Sequence, residues 1–141
     1  MEISDVRRHV RETIDRAKHR ASERRLRNDE AVTSFARFRE DVAVPLFKQI
    51  VNVLKAEGYA FSVFTPADGV RLISDRNGDD YIEITLDTSG DAPRVMAHIS
   101  RSRGRRIIEA EREVGSGGPE ALGELDLLTF VLKELEPLVE R

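Results

Sequence analysis

Apolar residues recur at steps of three and four along the first half of the chain, and the pattern changes to alternation from Tyr59 onward. Ile3, Val6, Val10, Ile14, Ala17 and Ala21 trace one narrow seam on an otherwise charged surface, which predicts a helix over residues 1–27. A seam this thin buries little by itself. It calls for a partner helix, either the next one in the chain or a copy from another subunit. Asn28 and Asp29 offer a break or cap before a second helix over 29–57. That helix has a richer stripe: Val32, Phe35, Phe38, Val42, Leu46, Ile50 and Val53, widened by Ala43, Phe47 and Leu54. Pro45 lies inside it and should kink it or start a new segment, and Gly58 is a natural stop.

Residues 59–114 read as five strands separated by turn signals: Tyr59–Thr65, Val70–Ser74, Tyr81–Asp87, Arg94–Arg101 and Arg106–Val114. Pairing Asp87 with Arg94 sets Leu86 beside Val95, Ile84 beside Ala97, Ile82 beside Ile99 and Glu83 beside His98. A two-residue turn at Arg103-Gly104 sets Ile99 beside Ile108, Ala97 beside Ala110 and His98 beside Glu109. Both registers place apolar residues on one face and opposite charges on the other, which is what cross-strand pairing favours. A strict Asn77-Gly78 turn would put Arg71 beside Ile84, so a longer loop or a bulge is expected there. Residues 115–119 form a Gly-rich connector. A last helix occupies 120–141, running mainly from Glu124 to Glu140, with Leu128, Val131, Leu132, Leu135 and Leu138 on one face and Pro137 fraying its end.

The expected fold is therefore α+β in a single domain spanning 1–141: two N-terminal helices, a five-stranded antiparallel meander, and a C-terminal helix packed on one sheet face. The core face is expected to hold Phe61, Val63, Val70, Leu72, Ile82, Ile84, Leu86, Val95, Ala97, Ile99, Ile108 and Ala110.

Composition narrows the chemistry. The chain has no cysteine, which removes disulfides, thiolate metal sites and cysteine nucleophiles together and fits a cytoplasmic setting. The acidic, amphipathic start of the chain does not read as a secretory signal, and no apolar run approaches the roughly 20 residues of a membrane span. The net charge of −3 conceals an asymmetry. Residues 1–27 carry nine Lys or Arg against five Asp or Glu, whereas residues 115–141 carry two against six. Oppositely charged ends suggest that these segments meet, within one chain or across a dimer.

Several sites fail on inspection. Asp75, Asn77, Asp79 and Asp80 resemble a calcium loop, but the sixth and twelfth positions hold Asp80 and Leu86 where Gly and Glu are needed. Histidines occur only at 9, 19 and 98, without metal-ligand spacing, and the glycines at 115, 117 and 118 lack the Lys-Ser/Thr of a phosphate loop. No metal, cofactor or catalytic constellation is expected. Three candidate surfaces remain. The turn Arg101, Arg103, Arg105 and Arg106 can present guanidinium forks to phosphates or carboxylates, or dock on the acidic last helix. Glu83, His98 and Glu109 form a polar row that either supports proton transfer or simply stabilises the sheet. Ile3, Val6, Val10 and Ile14 on the first helix, with Phe64, Ile73 and Met96 on the open sheet face, are candidate subunit contacts.

These features point first to a non-enzymatic interaction or adaptor protein, homodimeric and with an unidentified protein partner. An accessory binder of nucleic acid or another anionic ligand through residues 101–106 is the alternative. Nucleic acid is the less favoured partner, since that turn lacks interleaved aromatics and the chain is acidic overall. A small-ligand binder or enzyme with a pocket between sheet and helices is the third possibility.

Overall fold

The computed structural model describes residues 1–140. Helix α1 spans Ile3–Phe38, a π-helical segment covers Arg39–Ala43, and helix α2 spans Val44–Ala56. Strands β1 (Phe61–Phe64), β2 (Gly69–Ser74), β3 (Tyr81–Asp87), β4 (Arg94–Arg103) and β5 (Arg106–Glu113) follow. A 3-10 turn at Pro119–Ala121 then leads into helix α3, Glu124–Val139. The architecture is α+β, with the sheet ordered β1-β2-β3-β4-β5 and every neighbouring pair antiparallel.

The boundary between the N-terminal helices falls at residues 39–43, not at Asn28-Asp29 as expected. Neither Asn28 nor Asp29 forces non-helical dihedrals, and no proline or glycine interrupts residues 3–44, so α1 runs straight through. The π segment has a cause in the sequence. Buried positions step 31, 35, 38 and then 43, 46, 50, and the five-residue step from Phe38 to Ala43 exceeds an α-turn. One wide turn absorbs the extra residue and keeps both stripes facing the sheet. There the Val44 N–H reaches the Arg39 carbonyl, and Pro45, which has no N–H, enters the first turn of α2 unstrained. Because of this phase shift, Val32 and Val53, both expected in the core, are exposed.

The stop at Gly58 is as expected. Gly58 adopts φ +92°, and the Tyr59 N–H closes on the Leu54 carbonyl at 2.8 Å. The Arg39 guanidinium then spans to the β1–β2 turn, donating to the carbonyls of Pro66 (3.1 Å) and Ala67 (3.3 Å).

The β3–β4 register is the expected one, from Leu86 opposite Val95 to Ile82 opposite Ile99. The longer β2–β3 loop is also present, occupying 75–80 and setting Arg71 opposite Glu83. Its residues are engaged in structure. The buried Asp80 carboxylate accepts from the Ser102 N–H (2.7 Å) and hydroxyl, and the Asn77 side chain accepts from the Asp79 N–H.

The β4–β5 register differs from expectation by two residues. The turn is Gly104-Arg105, with Arg103 opposite Arg106, so Ile99 faces Ala110 and His98 faces Glu111. Gly104 has φ +64° while no other residue of the turn has positive φ, the pattern of a type II′ hairpin with glycine at its first central position. The shift is even, so each residue keeps its expected face.

The core lies between one sheet face and the helices: α2 covers β1 and β2, and α3 covers β3 and β4. Phe47, Val70, Leu72, Ile82, Ile84, Val95, Ala97, Leu127 and Val131 are fully enclosed. β5 lies beyond this cover. Ile108 and Ala110, expected in the core, are exposed and half-buried respectively, and an Arg112–Glu134 ion pair at 3.2 Å ties the strand to α3. α3 is also rotated from expectation. Leu127 takes the core position, whereas Leu128 is only half-buried and Leu132 turns outward. Pro137 costs one hydrogen bond in the last turn, and the helix continues to Val139.

Candidate functional site

The first candidate surface is the N-terminal part of α1. Arg27, Glu30 and Ala31 sit against the segment 117–120, and the first buried residue of the chain is Ala31. Upstream of Arg27 the helix projects from the body for about 36 Å at 1.5 Å per residue. Its seam is bare: Ile3 is 78% exposed, Val6 45%, Val10 51% and Ile14 46%. The charges around the seam are sorted. On a helical wheel the acids Asp5, Glu12, Asp15 and Glu23 fall on the back, away from the seam. Three of them are occupied there, by Arg8 at 3.4 Å, His9 at 3.8 Å and His19 at 2.9 Å. Arg7, Arg11 and Lys18 border the seam on one side and Arg20 and Arg24 on the other, and none has an ion-pair partner among the described residues.

The arginine hairpin is the second surface. Arg101 and Arg103 project on the helix side of the sheet and line a cleft of about 420 Å³ with Ser102, Pro137 and Glu140 of the α3 end. A helix C-terminus and a glutamate form a setting that favours cations. No ion pair or hydrogen bond closes from any of these four guanidinium groups among the described residues. Arg105 sits in the turn and Arg106 opens β5, both exposed. The acidic last helix thus lies next to the turn without gripping it.

The polar row lies on the sheet face turned away from the helices, outside any pocket between the two layers. Its composition also differs from the expected triplet. Glu83 is engaged by Arg71, whose Nη2 and Nε donate to one carboxylate oxygen at 2.6 and 3.2 Å. Arg71 also lies 4.2 Å above the Tyr81 ring, and Tyr81 stacks on His98 with ring centroids 5.8 Å apart. His98 then stands between Glu109 (3.4 Å) and Glu111 (3.5 Å). This chain of contacts crosses four strands and divides the open face. Phe64, 55% exposed at the β1 edge, and the half-buried Ile73 are separated by it from Met96, so the three do not make one apolar patch.

One exposed surface escaped the sequence reasoning. Leu125 is 73% exposed and Leu132 50%, with half-buried Leu128 between them on the outside of α3. Its signal was present: Leu125, Leu127, Leu128, Phe130, Val131 and Leu132 place apolar side chains on more of the helix than one sheet face can cover. No helix among the described residues is long and apolar enough to cross a membrane, and none of their acidic or histidine clusters is arranged to hold a metal ion. Comparison with protein-family models, curated proteins and solved structures gives no match.

Proposed function

We propose that this protein is a non-enzymatic interaction module, homodimeric, whose recognition element is the projecting half of α1. One observation carries the reading: a rigid helix displays an apolar seam that none of the described residues covers, bordered by cations that none of the described residues pairs. Exposed apolar residues aligned along one helix face supply burial energy to a partner, and the charges beside them supply selectivity. The open sheet face supports this role less, because its polar contact chain separates Phe64 and Ile73 from Met96.

The test is quantitative co-purification from native lysate, comparing the full chain with its Val6→Glu, Val10→Glu variant, each with and without nuclease. Proteins that copurify with the first and vanish with the second support the reading. An identical set for both chains removes α1 as the recognition element. Loss on nuclease treatment alone transfers the role to nucleic acid and directs attention to Arg105 and Arg106.

A further inference from the structure

We infer that the projecting half of α1 docks on the outer face of α3 in a second copy of this chain, reciprocally, so that two such contacts related by a two-fold axis form the dimer. This rests on the proposed recognition role of α1 and names its partner surface.

α1 is one uninterrupted helix from Ile3 to Phe38, so its N-terminal half cannot fold back onto its own α3. Pairing with α1 of another copy brings like charges together, because Arg7, Arg11 and Lys18 border one side of the seam and Arg20 and Arg24 the other. Flanking charges of one sign on both helices disfavour a homotypic coiled coil. The seam therefore needs an apolar strip bordered by acids.

α3 displays one. Leu125, Leu128 and Leu132 run along its outside, with Glu124 and Glu136 beside them. Neither glutamate has an ion-pair partner among the described residues, and the helix carries four acids against the single Lys133. The shorter strip can be covered whole by the longer one. Ile3 to Ile14 covers about 16 Å of helix, and Leu125 to Leu132 about 10 Å, continued to about 16 Å by the flanking Glu136. Two apolar strips with opposite flanking charge are complementary in sign, and the α3 strip, from Leu125 to Leu132, fits within the length of the seam. An anionic membrane is the weaker occupant. The seam consists of isoleucine, valine and alanine only, and the first aromatic residue of the chain is Phe35, already in the core.

Sedimentation velocity on the purified full chain, over micromolar concentrations and at two salt levels, tests this. The expected result is a monomer–dimer equilibrium weakened by salt, with Val10→Glu and Leu132→Glu each raising the dissociation constant at least about tenfold. All these residues are exposed, so an unchanged circular dichroism melt confirms that the variants fold. Mixing Val10→Glu with Leu132→Glu should restore a heterodimer, since one intact contact remains between the first chain's α3 and the second chain's α1. Reversal of Arg7 and Arg11 to Glu should abolish association, and adding Glu124→Arg with Glu136→Arg should restore it.

A strictly monomeric wild type overturns the inference, as does a Leu132→Glu chain that dimerises normally. Tighter association on arginine reversal would show α1 pairing with α1 and overturn it too. A monomer that cosediments with phosphatidylserine vesicles would assign the seam to a membrane instead. A monomeric chain that does not bind vesicles removes the dimer but leaves the recognition of another protein by α1, which the co-purification experiment decides separately.

Discussion

The two ends of the N-terminal helical run are both amphipathic, yet only one is buried. α2 brings Leu46, Phe47 and Ile50 to the sheet and is locked by them. The first half of α1 repeats its apolar residues just as regularly, and none of the described residues covers them. Periodicity therefore identifies the face that can be buried. Position along the helical run and neighbouring charge decide whether the chain's own body buries it. Leu46, Phe47 and Ile50 of α2 lie against the sheet, whereas Ile3, Val6, Val10 and Ile14 lie upstream of the body between rows of arginine.

The sharpest way to break this contrast is to remove one large side chain from each region. Phe47→Ala, at a position with no exposure, should lower unfolding free energy by about 3–5 kcal/mol in denaturant titration. The matching Ile14→Ala should change it by less than about 0.5 kcal/mol. A comparable loss at Ile14 in dilute solution would mean that the seam is covered after all.

The next effect is polar and belongs to the body. Asp80→Ala strips the Ser102 N–H and hydroxyl of their buried acceptor and should cost about 1–3 kcal/mol, read as a lowered melting temperature.

A smaller effect separates the regions by pH. The side-chain and backbone hydrogen bonds from Ser89, followed by Arg94, lower the Asp87 pKa to about 2 from its ordinary 3.8. Its contribution to stability is full above pH 3.8 and disappears as pH falls through about 2. Asp87→Asn should flatten the acid limb of a stability–pH profile in that window and leave it unchanged at neutral pH in shape. An unaltered acid limb would remove Asp87 from that role.

The smallest effect is the most telling. A chain lacking residues 1–26 keeps every buried residue, so its monomer should unfold at nearly the wild-type denaturant midpoint. A large fall would show that the projecting segment supports the body.

The sequence made the meander legible because two independent constraints agreed there: apolar alternation and the Asp87–Arg94 and Glu83–His98 pairings. The hairpin at Gly104 was harder, since a shift of two residues preserves both faces and leaves charge as the discriminator. His98 faces a glutamate in either register, and the Arg94–Glu113 pairing that favoured the expected one is not made, because Glu113 lies opposite Met96 and Arg94 is held by Asp87; the φ demand on Gly104 settled the turn. The helices were legible as helices but not in phase. Val32 and Val53 lie on the stripe only if an α-turn continues through 39–43, and the π turn there is a tertiary adjustment to the sheet. Among the candidate surfaces, the bare seam of α1 followed directly from its thinness. The polar row did not keep its expected membership, because Arg71 is within reach of Glu83 only once the β2–β3 loop length is known.

The wide turn at Arg39–Ala43 also bears on how this chain tolerates changes in length. Anywhere else between Ile3 and Ala56, losing one residue would rotate everything upstream by about 100° relative to everything downstream. Within the wide turn, losing exposed Asp41 would instead let the backbone relax to ordinary helical pitch with both stripes still aligned, leaving only the ring of Pro45 to be accommodated. This turn is a built-in slack of one residue, and it marks where a single residue can be lost from the helical run without reorienting the arm.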